Sequence, residues 1–291
     1  LKGKVIFYNH YGNGDIHYSR DFVKDIMKKI PAKSYEYHHR HNVNILKDIP
    51  NLTSYSDVYS LIYDHQEQIY LGDIVAINTW VGQKGAKYLK HNCSMYSNYD
   101  MFKNIYNQLN IKIENIDYYL PSINFKYTNN VGIDNFTKNN IGIKIFISNG
   151  NVFSGQANNF NFDPIISKLS HQFKDVSFIL SHHSSLKGSN IFYANDIIKE
   201  DVNLNELAYL STFCDVIVGR ASGPYCFTQI KNNFFDNGVT FISFSNDNKE
   251  GKYYGFMDDL DTKKPTCKQI HSNVYDKSML DIIKNELDAI L

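Results

Sequence analysis

Short, almost wholly apolar runs recur along this chain, separated by stretches whose apolar residues return every three or four positions. Residues 4–9 (KVIFYN) form the first run and predict a strand. Behind it, Phe22, Val23, Ile26, Met27 and Ile30 repeat at helical spacing. Residues 15–30 therefore predict a helix, with Asp15 as its N-cap and Pro31 closing it. Residues 34–39 and 73–79 (DIVAINT) predict further strands, and residues 96–109 a helix with Met101, Ile105 and Leu109 on one side. Between 120 and 140 the pattern dissolves into Pro, Asn, Gly and Thr, which predicts an interdomain linker.

The alternation then resumes. Residues 141–148 (IGIKIFIS) predict a strand, 149–159 a polar loop, 163–173 a helix, 176–181 (VSFILS) a strand and 190–194 a short strand. Leu204, Leu207, Ala208 and Leu210 mark a helical face before the strand 215–219 (DVIVG), a small-residue turn and a helix over 225–231. Residues 240–244 (TFISF) add a strand, and 278–291 an amphipathic helix with Leu280, Ile283, Leu287 and Ile290 inward.

Strands alternating with helices imply parallel sheets with helices on both faces. The expected fold class is α/β, with two Rossmann-like domains over 1–135 and 136–275 facing across a cleft. The helix in 276–291 is a candidate to cross back onto the first domain. Ligands of such sheets gather at the carboxyl ends of the strands. Residues 12–15 and 220–224 occupy strand ends of this type, one in each half.

Composition narrows the function classes. The chain has 291 residues, 43% of them hydrophobic and 21% charged, so it is globular and long enough for two domains. Thirty basic and thirty acidic residues cancel, which removes any global electrostatic case for nucleic-acid binding. No apolar run approaches bilayer-spanning length, and the first residues lack a signal-peptide pattern. Cys93, Cys214, Cys226 and Cys267 show no zinc spacing, and a reducing, cytoplasmic setting fits them.

Several residues stand where chemistry could occur. The turn before the helix at 225–231 reads either as a helix start that needs Gly for close packing or as a phosphate site, with free N–H groups, the positive end of a helix dipole and Arg220 as a charged fork. Asp15 reads either as a cap or as a general base, with His10 or His17 assisting or replacing it. Ser148, Asn149, Gly150 and Asn151 follow a strand, as do His182 and His183; each set reads as turn chemistry or as a ligand contact. In the run His38-His39-Arg40-His41, neighbouring side chains point to opposite strand faces, which argues against a metal site and leaves a solvated loop or, with Arg40, a contact for an anionic acceptor. Trp80 could stack on a sugar or pack. Asp258-Asp259-Leu260-Asp261 is acidic but follows no strand, so no metal site is assigned and no cofactor is expected.

The order GNGDIH near the start and LNELAYLSTFCDVIVGRASGP later resembles the GT-B glycosyltransferases, in particular their heptosyltransferase-like branch. The resemblance implies a glycosyltransferase moving a sugar from a nucleotide-sugar donor to a glycan or other hydroxyl acceptor, metal-independently, with peripheral membrane association through the acceptor. It implies Asp15, next to Gly14, as the base; Asn13, Gly14, Trp80 and Arg40 are the candidates toward the acceptor by their positions at the strand ends of the first half. Toward the donor it implies the turn Ser222, Gly223, Pro224 and Tyr225 with Arg220, and Glu206 as either a helix-borne acid for a ribose hydroxyl or an ordinary exposed helix acid; Asn149, Gly150 and His182 join them as candidates by their strand-end positions alone. The sequence departs from the family where Ala221 precedes Ser-Gly-Pro and Tyr225-Cys226-Phe227 follow. The alternatives are a nucleotide-sugar epimerase on the same fold and a non-catalytic carbohydrate-binding module.

Overall fold

The computed structural model describes residues 2–9, 11–57, 69, 72–83, 94–153, 155, 157–199, 204–220, 223–246 and 266–291. They divide into two compact units that meet in the chain between Tyr127 and Thr128.

In the first unit, β1 (Lys2–Tyr8), β2 (Ala32–His39), β3 (Leu52–Ser56) and β4 (Ile74–Asn78) form a parallel sheet in the order β3-β2-β1-β4. β1 lies between two neighbours and is apolar through Val5, Ile6 and Phe7, as a strand covered on both faces requires. Helix α1 (Asn13–Lys29) packs on α2 (Ser94–Leu109). Their contact is aromatic: the Phe22 ring stacks 4.1 Å from Phe102 and 4.2 Å from Tyr119. Arg20, fully buried, donates to Asp48 at 3.1 Å and to the Ile45 carbonyl at 2.8 Å. Asp48 also accepts the Asn124 N–H, so one buried pair ties α1 to two loops.

In the second unit, β5 (Lys144–Ser148), β6 (Ser177–Leu180), β7 (Ile191–Tyr193), β8 (Val216–Arg220), β9 (Thr240–Phe244) and β10 (Lys268–Ser272) run parallel in the order β10-β9-β8-β5-β6-β7. The other helices follow in chain order: α3 (Val131–Asn139), α4 (Asp163–Gln172), α5 (Ala194–Ile198), α6 (Leu204–Ser211), α7 (Gly223–Thr228), α8 (Lys231–Phe235) and α9 (Ser278–Ile290). Ile145, Ile147, Val216 and Val218 face a core completed by Ile166 and Leu169 of α4 and by Met279, Ile283 and Leu287 of α9. The opposite face meets α7 and α8, where Tyr225 and Phe234 pack on Phe241. The buried stripe of the terminal helix thus serves the second unit's own core, and Ile290, expected inward, is 43% exposed.

The stretch expected as a linker contains α3 and a 3-10 turn at Phe125–Tyr127. Its polarity concealed the helix, because Ile133 is the one residue α3 buries. Tyr209 of α6 donates to Asp134 on α3 at 2.9 Å. Strands β3 and β10 were not anticipated; both lie at sheet edges and are mostly exposed or half-buried, so neither carries an apolar run.

Gly219 pairs with Ser148 across β8 and β5, and a Cβ there would lie 2.7 Å from Ser148 Cβ and 2.8 Å from the Tyr225 ring. Gly219→Ala should therefore cost about 1–3 kcal/mol through overpacking. Denaturant unfolding reads this directly, and an unchanged midpoint would show that the β8–α7 packing is looser than described.

Candidate functional sites at the strand ends

The first unit's candidate site grows out of the carboxyl ends of β1 and β4. Each strand runs into an asparagine that folds the following backbone back on itself: Asn9 Oδ1 accepts the Tyr11 N–H at 3.0 Å, and Asn78 Oδ1 the Trp80 N–H at 2.9 Å. These matched turns bring Tyr11 and Trp80 together, rings 3.6 Å apart and within 10° of parallel. The shared spacing, Asn-x-aromatic after two strands, was the sequence signal for this pair.

Helix α1 begins beside it. Gly12 is the N-cap, so Asp15 stands at the third helical position and is not the cap that the pattern predicted. Its carboxylate accepts the Gly12 N–H at 3.2 Å, the reciprocal half of a capping box. Burial pushes the Asp15 pKa up to about 6, against the pull of that N–H and of its own backbone amide. Asn13 and Gly14 occupy the preceding turn, where Asn13 Oδ1 is buried with no hydrogen-bond partner.

His17 does not serve Asp15. Two positions along a helix do not share a face, and His17 is fully buried on the inner side of α1. His10 lies outside the described residues. In the histidine run, His38 is held between Asp57 at 2.7 Å and Glu36 at 3.2 Å, while His39 sits 2.7 Å from Ser54 Oγ and accepts the His41 N–H at its other nitrogen. Burial, then the neighbouring His41 and His38, lower the His39 pKa to about 4, so His39 is neutral and donates to Ser54. The His41 ring bonds the Tyr11 carbonyl, which anchors the β1–α1 loop. Arg40 is exposed beyond the end of β2.

The second unit's candidate site is a cleft of about 290 Å³ at the ends of β5 and β6, lined by residues 149–151, 161–163 and 182–184. Asn149 bridges the two strand ends: its Oδ1 accepts from His182 N–H and Ser181 Oγ, and its amide donates to the His182 carbonyl. His182 Nδ1 lies 2.8 Å from Ser181 Oγ, and burial followed by the charge of Arg220 lowers its pKa. His182 therefore enters the cleft wall as a neutral ring. Among the described residues no group of three or more His, Cys, Asp or Glu side chains is arranged for a metal ion, and Asp258, Asp259 and Asp261 lie outside them.

Arg220 differs most from its expected role. Its guanidinium is turned into the protein, 4.5 Å from the Phe160 ring and 5.1 Å from the Phe162 ring. It donates to the carbonyls of Asn149, Gly150 and Phe160. A side chain so engaged holds the loop after β5 and cannot also be a free fork for a phosphate. Glu206 is likewise buried, accepting the Asn129 N–H at 3.1 Å, so it is neither an exposed helix acid nor open to a ribose. Gly223 and Pro224 open α7 and are half-buried, Tyr225 is buried with its hydroxyl held protonated by burial, and Ser222 lies outside the described residues.

Neither a protein family model nor a curated protein matches the chain. Solved structures do. A glycosyl transferase family 9 protein from Veillonella parvula DSM 2008 superposes with a TM-score of 0.52 at 11% identity, over 98% of this chain and 92% of that one. E. coli heptosyltransferase WaaC with ADP-2-deoxy-2-fluoro heptose gives 0.55 at 8% identity, over 99% and 100%. E. coli ADP-heptose lps heptosyltransferase II gives 0.50 at 10% identity, over 98% of each chain. The chain has a heptosyltransferase-like GT-B fold. At such identities the likeness is one of fold, and residue roles are argued from the sites themselves.

On this fold, Arg220 is the residue whose loss should loosen the cleft. Arg220→Ala strips three carbonyls of their donor, and one buried acceptor left unsatisfied costs about 1–3 kcal/mol. Arg220→Lys should restore only part of this, since an ammonium cannot reproduce the fork. Unfolding midpoints and amide exchange across residues 149–160 measure both effects. Unchanged exchange in Arg220→Ala would return the side chain to solvent.

Proposed function

We propose that the protein is a glycosyltransferase that moves a sugar from a nucleotide-sugar donor to a glycan or other hydroxyl acceptor, without a metal. The observation that carries this reading is Asp15: a carboxylate at a strand end, on the first turn of a helix, with a pKa of about 6. Such a group is ionised at neutral pH yet basic enough to accept a proton from an attacking hydroxyl. The acceptor oxygen would bond the anomeric carbon as its proton passes to Asp15. The bond from that carbon to the donor phosphate breaks, and its electron pair leaves with the nucleotide diphosphate.

In this reading the cleft after β5 and β6 and the backbone at 222–225 hold the donor, with Arg220 acting through the loop it fixes. Asn13, Gly14, Arg40 and the Tyr11–Trp80 pair receive the acceptor, the aromatic rings offering a flat apolar surface to a sugar. The setting proposed is cytoplasmic, with peripheral membrane association through a lipid-borne acceptor. No helix among the described residues is long and apolar enough to cross a membrane.

One observation favours a rival, a non-catalytic carbohydrate-binding module. Arg220 and Glu206 are both engaged inside the second unit, which withdraws two donor contacts that the resemblance implied. A thermal-shift screen of nucleotides and nucleotide sugars separates the readings, because a ligand of the folded state raises Tm by linkage. No shift with any nucleotide would favour the module.

Asp15→Asn keeps the acceptor for the Gly12 N–H but removes the base. It should lower the transfer rate by about 10²–10⁴-fold while leaving donor-induced thermal shifts in place. In the native protein the rate should rise with pH through about 6, as Asp15 loses its proton, and then level. A rate without an inflection there, or a variant that transfers normally, would remove Asp15 from the chemistry. Trp80→Phe should raise the acceptor KM and spare donor affinity; an unaltered KM would make the indole a packing residue.

A further inference from the structure

A second cleft, of about 460 Å³, lies in the second unit between α3 and the edge strand β7 with α5 behind it. It shares no lining residue with the cleft at the ends of β5 and β6. Its volume falls within the range of about 300–1,000 Å³ usual for small-ligand sites. No residue assigned to donor or acceptor lines it.

The cleft exists because two elements touch at one point. At Gly132, α3 meets the Ile197 carbonyl of α5 so closely that no Cβ would fit. Further along α3 the side chains become long, and a space is left between Asn135, Phe136 and Asn139 on one side and β7 on the other. Phe136 and Phe192 meet edge to face, 4.9 Å apart at 74°, and both stay half-buried. Three carboxamides line the same cleft, Asn135, Asn139 and Asn140, the last donating to the Phe136 carbonyl. The lining charges are one of each sign, Asp196 and Lys199.

We propose that this cleft binds a neutral sugar ring of a glycan, at a site separate from the transfer chemistry. A sugar has an apolar C–H face that suits aromatic rings, and hydroxyls that both donate and accept. A carboxamide also does both from one side chain, so Asn135 and Asn139 match adjacent hydroxyls without any charge to neutralise. An anionic ligand fits less well, because the carboxylate of Asp196 stands in the same wall as Lys199. A purely apolar ligand would cover the Asn135 and Asn139 carboxamides without offering them a partner.

Two residues of the first cleft, His183 and Ser184, reach the second; the Tyr193 hydroxyl donates to the Ser184 carbonyl at 3.1 Å. His183 lines the first; its Nε2 lies 3.3 Å from Asp196 in the second, and its ring stands 4.4 Å from that of Tyr193. Both side chains are more than half exposed, so the His183–Asp196 contact itself contributes little. The site is therefore expected to bind with or without donor present. Its role would be to keep a glycan near the protein, which does not depend on the transfer reaction.

The test is saturation-transfer NMR on the full chain with methyl glycosides of glucose, galactose, mannose and N-acetylglucosamine. Each is used at about 10 mM, enough to detect millimolar affinity. Asn135 and Asn139 are exposed, so Asn135→Ala/Asn139→Ala is expected to fold normally. At least one glycoside should receive magnetisation, fall at least about fivefold in the double variant, fall likewise in Phe192→Leu, and be unaffected by ADP or UDP. Three results would each overturn the site: no transfer to any glycoside, transfer unchanged in both variants, or a signal that nucleotide displaces. The last would assign the sugar to the cleft at the ends of β5 and β6.

Discussion

Every paired strand in both sheets runs parallel to its neighbours, so within each unit all the carboxyl ends fall along one edge. Parallel strands cannot be joined by tight hairpins, and the chain must leave each strand end in a loop and return through a crossover. The edge therefore collects loops whose backbone groups have no ladder partner, and each has to be satisfied by something else. Asp15, the Tyr11–Trp80 stack, His39, Asn149, His182 and Arg220 all stand at or next to such ends. What differs is how each loop is held.

The first unit holds its strand-end loops with asparagine and histidine side chains. Asn9 and Asn78 turn the backbone locally, and His39 and His41 pass the restraint from β3 through β2 to the loop before α1. The second unit uses one cation. Arg220 leaves the end of β8, crosses to the loop after β5 and meets carbonyls from three residues of it while lying over two aromatic rings. Burial lowers its pKa, yet arginine starts high enough to stay charged, which a lysine in the same surroundings would not guarantee. The guanidinium that looked like a phosphate ligand is thus a brace for the residues that line the cleft.

Much of this fold was legible where burial on both faces forces a continuous apolar run, as in β1, β5, β6, β8 and β9. It was not legible at the edges. β3 and β10 each have a single paired neighbour, and α3 buries only Ile133, so none needs a strong pattern. The site was half legible for a related reason. Sequence order locates strand ends, and Asp15, Asn149, His182 and Trp80 do stand at them, but it does not give the direction in which a long side chain turns. Arg220 and Glu206 turn inward because carbonyls and an N–H lie within reach, and those partners come from residues 60 to 77 positions away.

Asp15 shows what such a position costs. A carboxylate on the first turn of a helix ordinarily gains from the dipole and from the cap N–H, which would hold its pKa low. Here removal from water outweighs both, and the pKa rises from 3.8 to about 6. The native state therefore binds the Asp15 proton more tightly than the unfolded chain does. As pH rises from about 4 through 6 this residue takes stability away from the fold, and none of that loss is recovered above 6. A group with a purely structural role at that position could be an asparagine, keeping the bond to Gly12 without the buried charge. The acid at this position therefore gives the helix start a bond to Gly12 whose protonation state changes near pH 6, where an asparagine would give one that does not titrate.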